Sequence, residues 1–164
     1  MTQNQKNSSC PRACPTLPAW EELPDLELYM DQVLSLVSRY LAAGDEKVLT
    51  ASMVNNYVKQ KLLPPPVNKR YNRSHIASLL MLCILKSVLP IAAVQQLFQS
   101  CGGEDMPTLY GEFRTLHSQI NRAVSGQVAR LLTTRRQRFL SAALGSQASQ
   151  ALAMELLPTL NSDE

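Results

Sequence analysis

Apolar positions recur with a period near 3.6 along most of the chain and almost nowhere with a period of two, which predicts helices and little strand. Leu26, Tyr29, Met30, Val33, Leu34, Val37, Tyr40 and Leu41 form an i, i+3, i+4, i+7 stripe. That stripe predicts an amphipathic helix opened by Pro24-Asp25 and stopped by Gly44. Thr50 is an N-cap type of residue before a second stripe, Met53, Val54, Tyr57, Val58 and Leu62. The opposite face of that helix carries Ser52, Asn55, Asn56, Lys59 and Gln60. Pro64-Pro65-Pro66 ends it, because proline cannot donate to a helix and disfavours helical geometry in the residue before it. A short extended or turn segment follows, Val67-Asn68-Lys69-Arg70-Tyr71. Asn72 or Ser74 then caps a third helix reaching Leu89, apolar nearly all round, as a central or interface helix is. Pro90 suits the first position of a fourth helix, with Val94, Leu97 and Phe98 facing inward.

Cys101-Gly102-Gly103 is a break. Helical period returns from Thr108 at Leu109, Phe113, Leu116, Ile120 and Val124, and continues at Val128, Leu131 and Leu132, with Gly126 a point of kink or division. The Ala-rich stretch 141–157 reads as a short last helix. Pro11, Pro15 and Pro18, set among Ser, Asn and Gln, make residues 1–19 a disordered lead-in. The expected architecture is all-α, with at most a small two-stranded wing around 64–71. Its parts are a disordered segment 1–19, a helical domain 20–125, and a C-terminal helical extension and tail 126–164.

Charge changes this picture more than composition does. The 164 residues carry a formal net charge of only +3. Residues 1–45 sum to −3, residues 46–90 to +6 and residues 91–164 to zero, and no acidic residue occurs from Lys47 to Gly103. A cationic face is therefore expected in the middle of the chain. The alternative is that a buried helix there simply leaves little room for charge. Six arginines follow in an acid-free run, Arg114, Arg122, Arg130, Arg135, Arg136 and Arg138, and the sequence assigns them no role.

Other residue types act mainly by exclusion. Two His oppose a His-built metal site, six Gly yield no phosphate-cradling loop, and nine aromatics oppose stacking on single strands. Cys10, Cys14, Cys83 and Cys101 lack zinc spacing and read as reduced thiols. Met1–Ser9 is polar with no apolar signal region after it, and Ile76–Val94 is interrupted by Ser78, Lys86, Ser87 and Pro90. A cytoplasmic protein without membrane association is expected. His75 and His117 have no nucleophile setting, and no carboxylate pair lies between residues 47 and 103. Glu21, Glu22, Asp25, Glu27 and Asp31 suit a helix start, where they complement the dipole. A non-enzymatic protein with no cofactor, no metal and no evident small-molecule ligand is expected.

The informative stretch is 50–94. A helix fits the major groove of duplex DNA, and Asn or Gln pairs bidentately with adenine. Lys and Arg on the following loop reach phosphates or the adjacent groove. The competing reading is a solvated helix face whose charges serve solubility.

At this point the residues resemble known families. Leu49 to Pro64, followed by Lys69-Arg70-Tyr71, resembles an uncharacterised bacterial family, the YkrK-like domain-of-unknown-function proteins. Leu28 to Val33 and Leu85 to Ile91 fit the same family, so the likeness runs over about residues 22–125. It implies no activity. More distantly, the core is similar to the MerR-type winged helix-turn-helix. Tyr57 stands at that family's recognition-helix tyrosine, Lys61-Leu62-Leu63-Pro64 at its Gly-Leu-Leu-Pro, and Lys69-Arg70-Tyr71 at its wing. His75-Ile76, Leu79, Leu82 and Leu85-Lys86 follow the spacing of its next helix. Asn56 replaces the family's arginine, and the wing is short.

This resemblance implies a MerR-like, winged helix-turn-helix-like transcription regulator binding double-stranded DNA. Its recognition helix would be about 51–63 and its basic wing 64–73. The expected DNA contacts are Ser52, Asn55, Asn56, Lys59, Gln60, Lys61, Lys69, Arg70, Tyr71 and Arg73. It also implies a homodimer, for which residues 109–132 are the candidate helix. The alternative is a helical protein–protein interaction adaptor that keeps the fold without binding DNA.

Overall fold

A computed structural model describes residues 15–41, 48–101, 105–131 and 134–161. Its six helices are α1 (Met30–Leu41), α2 (Ala51–Lys59), α3 (Arg73–Lys86), α4 (Ile91–Ser100), α5 (Met106–Leu131) and α6 (Arg135–Leu156). Short 3-10 turns at Trp20–Glu22 and Leu157–Asn161 flank them. The described residues contain two isolated antiparallel bridges and no strand, so the fold is all-α.

α3 is the axis. Every residue from His75 to Leu82 is buried, which requires neighbours on all sides of the helix. α1, α4 and α5 supply that cover. α1 contributes Val33 and Val37, α2 adds Val54 and Tyr57 from its place against α1, and α5 adds Tyr110. The second 3-10 turn docks on α4: Leu157 is buried, and Gln96 Nε2 donates to its carbonyl at 3.4 Å.

Side-chain caps set most helix starts. Thr50 Oγ1 accepts from Met53 N at 3.3 Å, as its residue type predicts. Asn72 Oδ1 accepts from His75 N, and His75 Nδ1 accepts in return from Asn72 N, both at 3.2 Å, a capping box closed by histidine. Asp105 caps α5 through Thr108 N at 3.2 Å.

Several boundaries differ from the periodic reading. α1 starts at Met30, not after Pro24-Asp25, because the backbone of Leu28 is taken by Tyr71 through two 2.9 Å hydrogen bonds. Leu26 then falls outside the buried stripe at 79 % exposure. Gly44 lies outside the described residues, as do Cys10 and Cys14. α3 ends at Lys86, short of Leu89, where Ser87 Oγ folds back onto the Ile84 carbonyl at 2.6 Å and Pro90 follows. α5 runs through Gly126 without interruption and so crosses the expected boundary at 125/126. α6 begins at Arg135, ahead of Ser141, because Thr134 and Gln137 form a reciprocal cap. Residues 15–19, expected within the disordered lead-in, form a strap on α5. Leu17 and Pro18 are buried there, Tyr110 Oη donates to the Pro18 carbonyl at 3.0 Å, and Arg114 Nε to that of Leu17 at 3.1 Å.

Candidate nucleic-acid interface

Ser52, Asn55, Asn56 and Lys59 follow i, i+3, i+4, i+7 spacing and share the exposed face of α2. The opposite face buries Val54 and Tyr57, which fixes the rotation of the helix. Tyr57 is the larger anchor, 1 % exposed, with Lys86 Nζ 5.6 Å from its ring centroid. Burial raises its phenol pKa above the ordinary value. None of the four exposed side chains hydrogen-bonds another described residue, so their donors and acceptors are open to a ligand.

The end of α2 aims the chain toward the turn. Leu62 N donates to the Tyr57 carbonyl at 2.9 Å and Lys61 N to that of Val58 at 3.1 Å. This is a Schellman end, with Leu62 and Tyr57 both buried as its apolar clasp. The position that such an end usually gives to glycine is held by Lys61, at φ 59° and exposed.

A left-handed pair lies nearby in sequence. Val67 and Arg70 are bridged, Arg70 N donating to the Val67 carbonyl at 2.9 Å, around Asn68 at φ 52° and Lys69 at φ 62°. Two successive positive φ values are those of a type I′ turn, where Asn-Gly is the favoured pair. Asn tolerates the left-handed region, whereas Lys does so at a cost of roughly 1–2 kcal/mol. Lys61, Asn68 and Lys69 are the non-glycine residues with positive φ among the described residues.

The turn is braced from α1's approach. Arg70 Nη2 donates to Tyr29 Oη at 3.2 Å, and its guanidinium lies 5.2 Å from the centre of the Tyr29 ring. The Leu28–Tyr71 bridge ties the same two segments. Tyr29 belongs to the site, and the sequence offers no signal for it, since it reads as part of the α1 stripe.

Three other expected contact residues sit differently. Tyr71 is 3 % exposed, a core residue with its ring edge against His75. Arg73 is half-buried, 3.1 Å from Asp25 and 5.6 Å from the Trp20 ring centre. Gln60 is half-buried; its carbonyl accepts from Gln95 Nε2 at 3.2 Å, while its side-chain Oε1 is buried without a partner. These three side chains are occupied by packing. Ser52, Asn55, Asn56, Lys59, Lys61, Lys69 and Arg70 remain at the surface.

His75 is structural as well. Its Nδ1 serves the capping box, while Nε2 is buried without a hydrogen-bond partner among the described residues. Burial is the dominant influence and lowers its pKa, so the ring is neutral at pH 7. The acid-free run in sequence is partly offset in space, because Asp25 and Glu27 come from the segment that pairs with the turn. Among the described residues no three His, Cys, Asp or Glu side chains converge as a metal site, and no helix is long and apolar enough to cross a membrane.

A family model described as a domain of unknown function, DUF1836, matches residues 18–113, more than half of the chain. The match takes in the last two residues of the strap, α1 to α4 and the start of α5. No curated protein and no solved structure matches the chain significantly.

Proposed function

The chain belongs to the DUF1836 family of domains of unknown function, and we propose that it is a non-enzymatic, sequence-specific regulator of transcription that binds double-stranded DNA. α2 enters the major groove, Asn55 and Asn56 read base edges with Ser52 beside them, and Lys59, Lys61, Lys69 and Arg70 meet phosphates. The 67–70 turn serves as a minimal wing, in keeping with the likeness to MerR-type winged helix-turn-helix proteins.

The observation that carries this reading is the backbone strain. Two lysines occupy left-handed positions where glycine is lower in energy, Lys61 at the end of the amide-rich helix α2 and Lys69 in the exposed 67–70 turn. Backbone held in sparsely populated regions clusters at functional sites. A solvated face kept only for solubility has no use for a cation at those two positions. Arg70, steadied by Tyr29, is ordered before any ligand arrives, which lowers the entropy cost of a phosphate contact.

Two half-sites are read when the protein pairs with a second copy. The 109–132 stretch, which α5 covers as far as Leu131, is the proposed seam, with Leu116 and Ile120 at 49 % and 60 % exposure available to it. Work on DNA of this kind goes with a cytoplasmic location. Fluorescence anisotropy with a labelled duplex at low salt tests the proposal: binding is expected, and its absence would sink it.

A second reading, a helical interaction adaptor, draws support from α6, where Phe139 and Leu144 are 72 % and 63 % exposed. It predicts that Phe139→Ser abolishes capture of a protein partner while Lys69→Ala does not.

A further inference from the structure

α5 carries a second constellation, far in sequence from the α2 face and of different chemistry. Arg114, His117, Ser118, Asn121 and Arg122 recur at i, i+3, i+4, i+7 and i+8, so one side of the helix is polar and cationic over two turns. The strap passes beside this side, and together they line a half-open cavity of about 560 Å³. That volume is in the range of small-molecule sites. Pro15 and Leu17 from the strap supply an apolar wall, while the five α5 residues supply polar groups. Among the described residues lining it there is no carboxylate. Two guanidinium groups therefore line one concave, solvent-open space with no carboxylate among its described lining residues.

Three of the groups, Arg114, His117 and Asn121, have fixed contacts. Arg114 Nε is fixed on the Leu17 carbonyl at 3.1 Å, which leaves its two terminal nitrogens without a hydrogen bond among the described residues. The His117 ring stacks nearly parallel on Phe113, at 12° and 6.2 Å between centroids. The Asn121 amide nitrogen stands 3.3 Å from each His117 ring nitrogen. Guanidinium pairs with flanking imidazole, hydroxyl and amide donors suit oxyanions with several acceptor oxygens.

We propose that this cavity is a binding site for a small organic anion carrying phosphate or clustered carboxylate groups, gripped by Arg114 and Arg122 under the 15–19 strap. The site is separate from the α2 face, and its occupancy does not depend on DNA binding. Occupation would tie the strap more firmly to α5, since Arg114 of α5 also holds the Leu17 carbonyl.

Isothermal titration of the full chain with pyrophosphate at constant ionic strength, without DNA, tests this. Saturable binding is expected. Arg122→Ala removes an exposed cation with no role in the core and should weaken binding about tenfold or more, the loss of one charge-assisted contact. Ser118→Glu, which puts a carboxylate into the cavity, should abolish it. Lys69→Ala/Arg70→Ala and Arg136→Ala should leave it unchanged. A flat titration of the unaltered chain overturns the proposal. So does a loss of binding that follows Lys69 and Arg70 instead of Arg122, which would assign the anion to the α2 face.

Discussion

Replacing Lys61 or Lys69 with glycine should make the protein more stable and worse at binding DNA. Each lysine sits at a φ near 60°. A side chain there costs roughly 1–2 kcal/mol. Glycine removes that cost but adds about 0.5–1 kcal/mol of unfolded-state entropy. The net expected gain is about 0.5–1 kcal/mol per site, and the two sites lie on separate turns, so the gains should add. For a domain of this size each substitution should raise Tm by about 2–5 °C. On the functional side, four exposed cations (Lys59, Lys61, Lys69, Arg70) imply a log–log salt slope near about −3.6, and each lysine removed should reduce its magnitude by about 0.9. Circular dichroism melts give the first quantity, and anisotropy titrations across a salt series give the second. A Tm that is unchanged or lowered in both variants would refute the left-handed geometry. A raised Tm with an unchanged salt slope would refute the assignment of these lysines to phosphates.

Other consequences of the structure are open to measurement. Burial lowers the pKa of both His75 and His117, so below their unfolded value of about 6.5 the unfolded chain binds more protons and stability falls. Melts should therefore be flat above pH 7 and decline toward pH 5, with a shallower decline in His117→Gln. Leu79 is fully buried at the centre of α3, and Leu79→Ala should cost about 2–5 kcal/mol in a denaturant titration. Glu27 is exposed next to the segment bridged to the turn, and Glu27→Gln should strengthen DNA binding a few-fold by removing a repulsive charge. Asn55→Ala/Asn56→Ala should flatten the preference between duplex sequences while general affinity at low salt survives.

The helices were legible because each is written in local terms. Thr50 and Asn72 are caps by residue type, and the continuous apolar run of α3 announces a central helix. The site was half legible. Ser52, Asn55, Asn56 and Lys59 follow from periodicity alone, since burial of Val54 and Tyr57 dictates the other face. What stayed hidden depends on contacts distant in sequence. The pairing of Leu28 with Tyr71 shortens α1, sends Tyr71 into the core and brings Tyr29 to Arg70. No period of residues 22–41 encodes that exchange. The left-handed lysines were hidden for another reason: the usual signals for such backbone are Gly and Asn, and only Asn68 supplies one. The run of charge from 46 to 90 also looked more one-sided in sequence than it is in space, because Asp25 reaches Arg73 across the fold. Two of the six unassigned arginines, Arg114 and Arg122, acquire a common setting only once the strap is laid against α5.

Reading of duplex DNA by the α2 face is open to selection of bound duplexes from a random pool, with molecular mass by light scattering on the same sample. Enrichment of a two-fold-symmetric sequence bound by a dimer is expected, with the enrichment lost in Asn55→Ala/Asn56→Ala. A pool that shows no enrichment over successive rounds, with the chain binding no duplex at low salt, would contradict it.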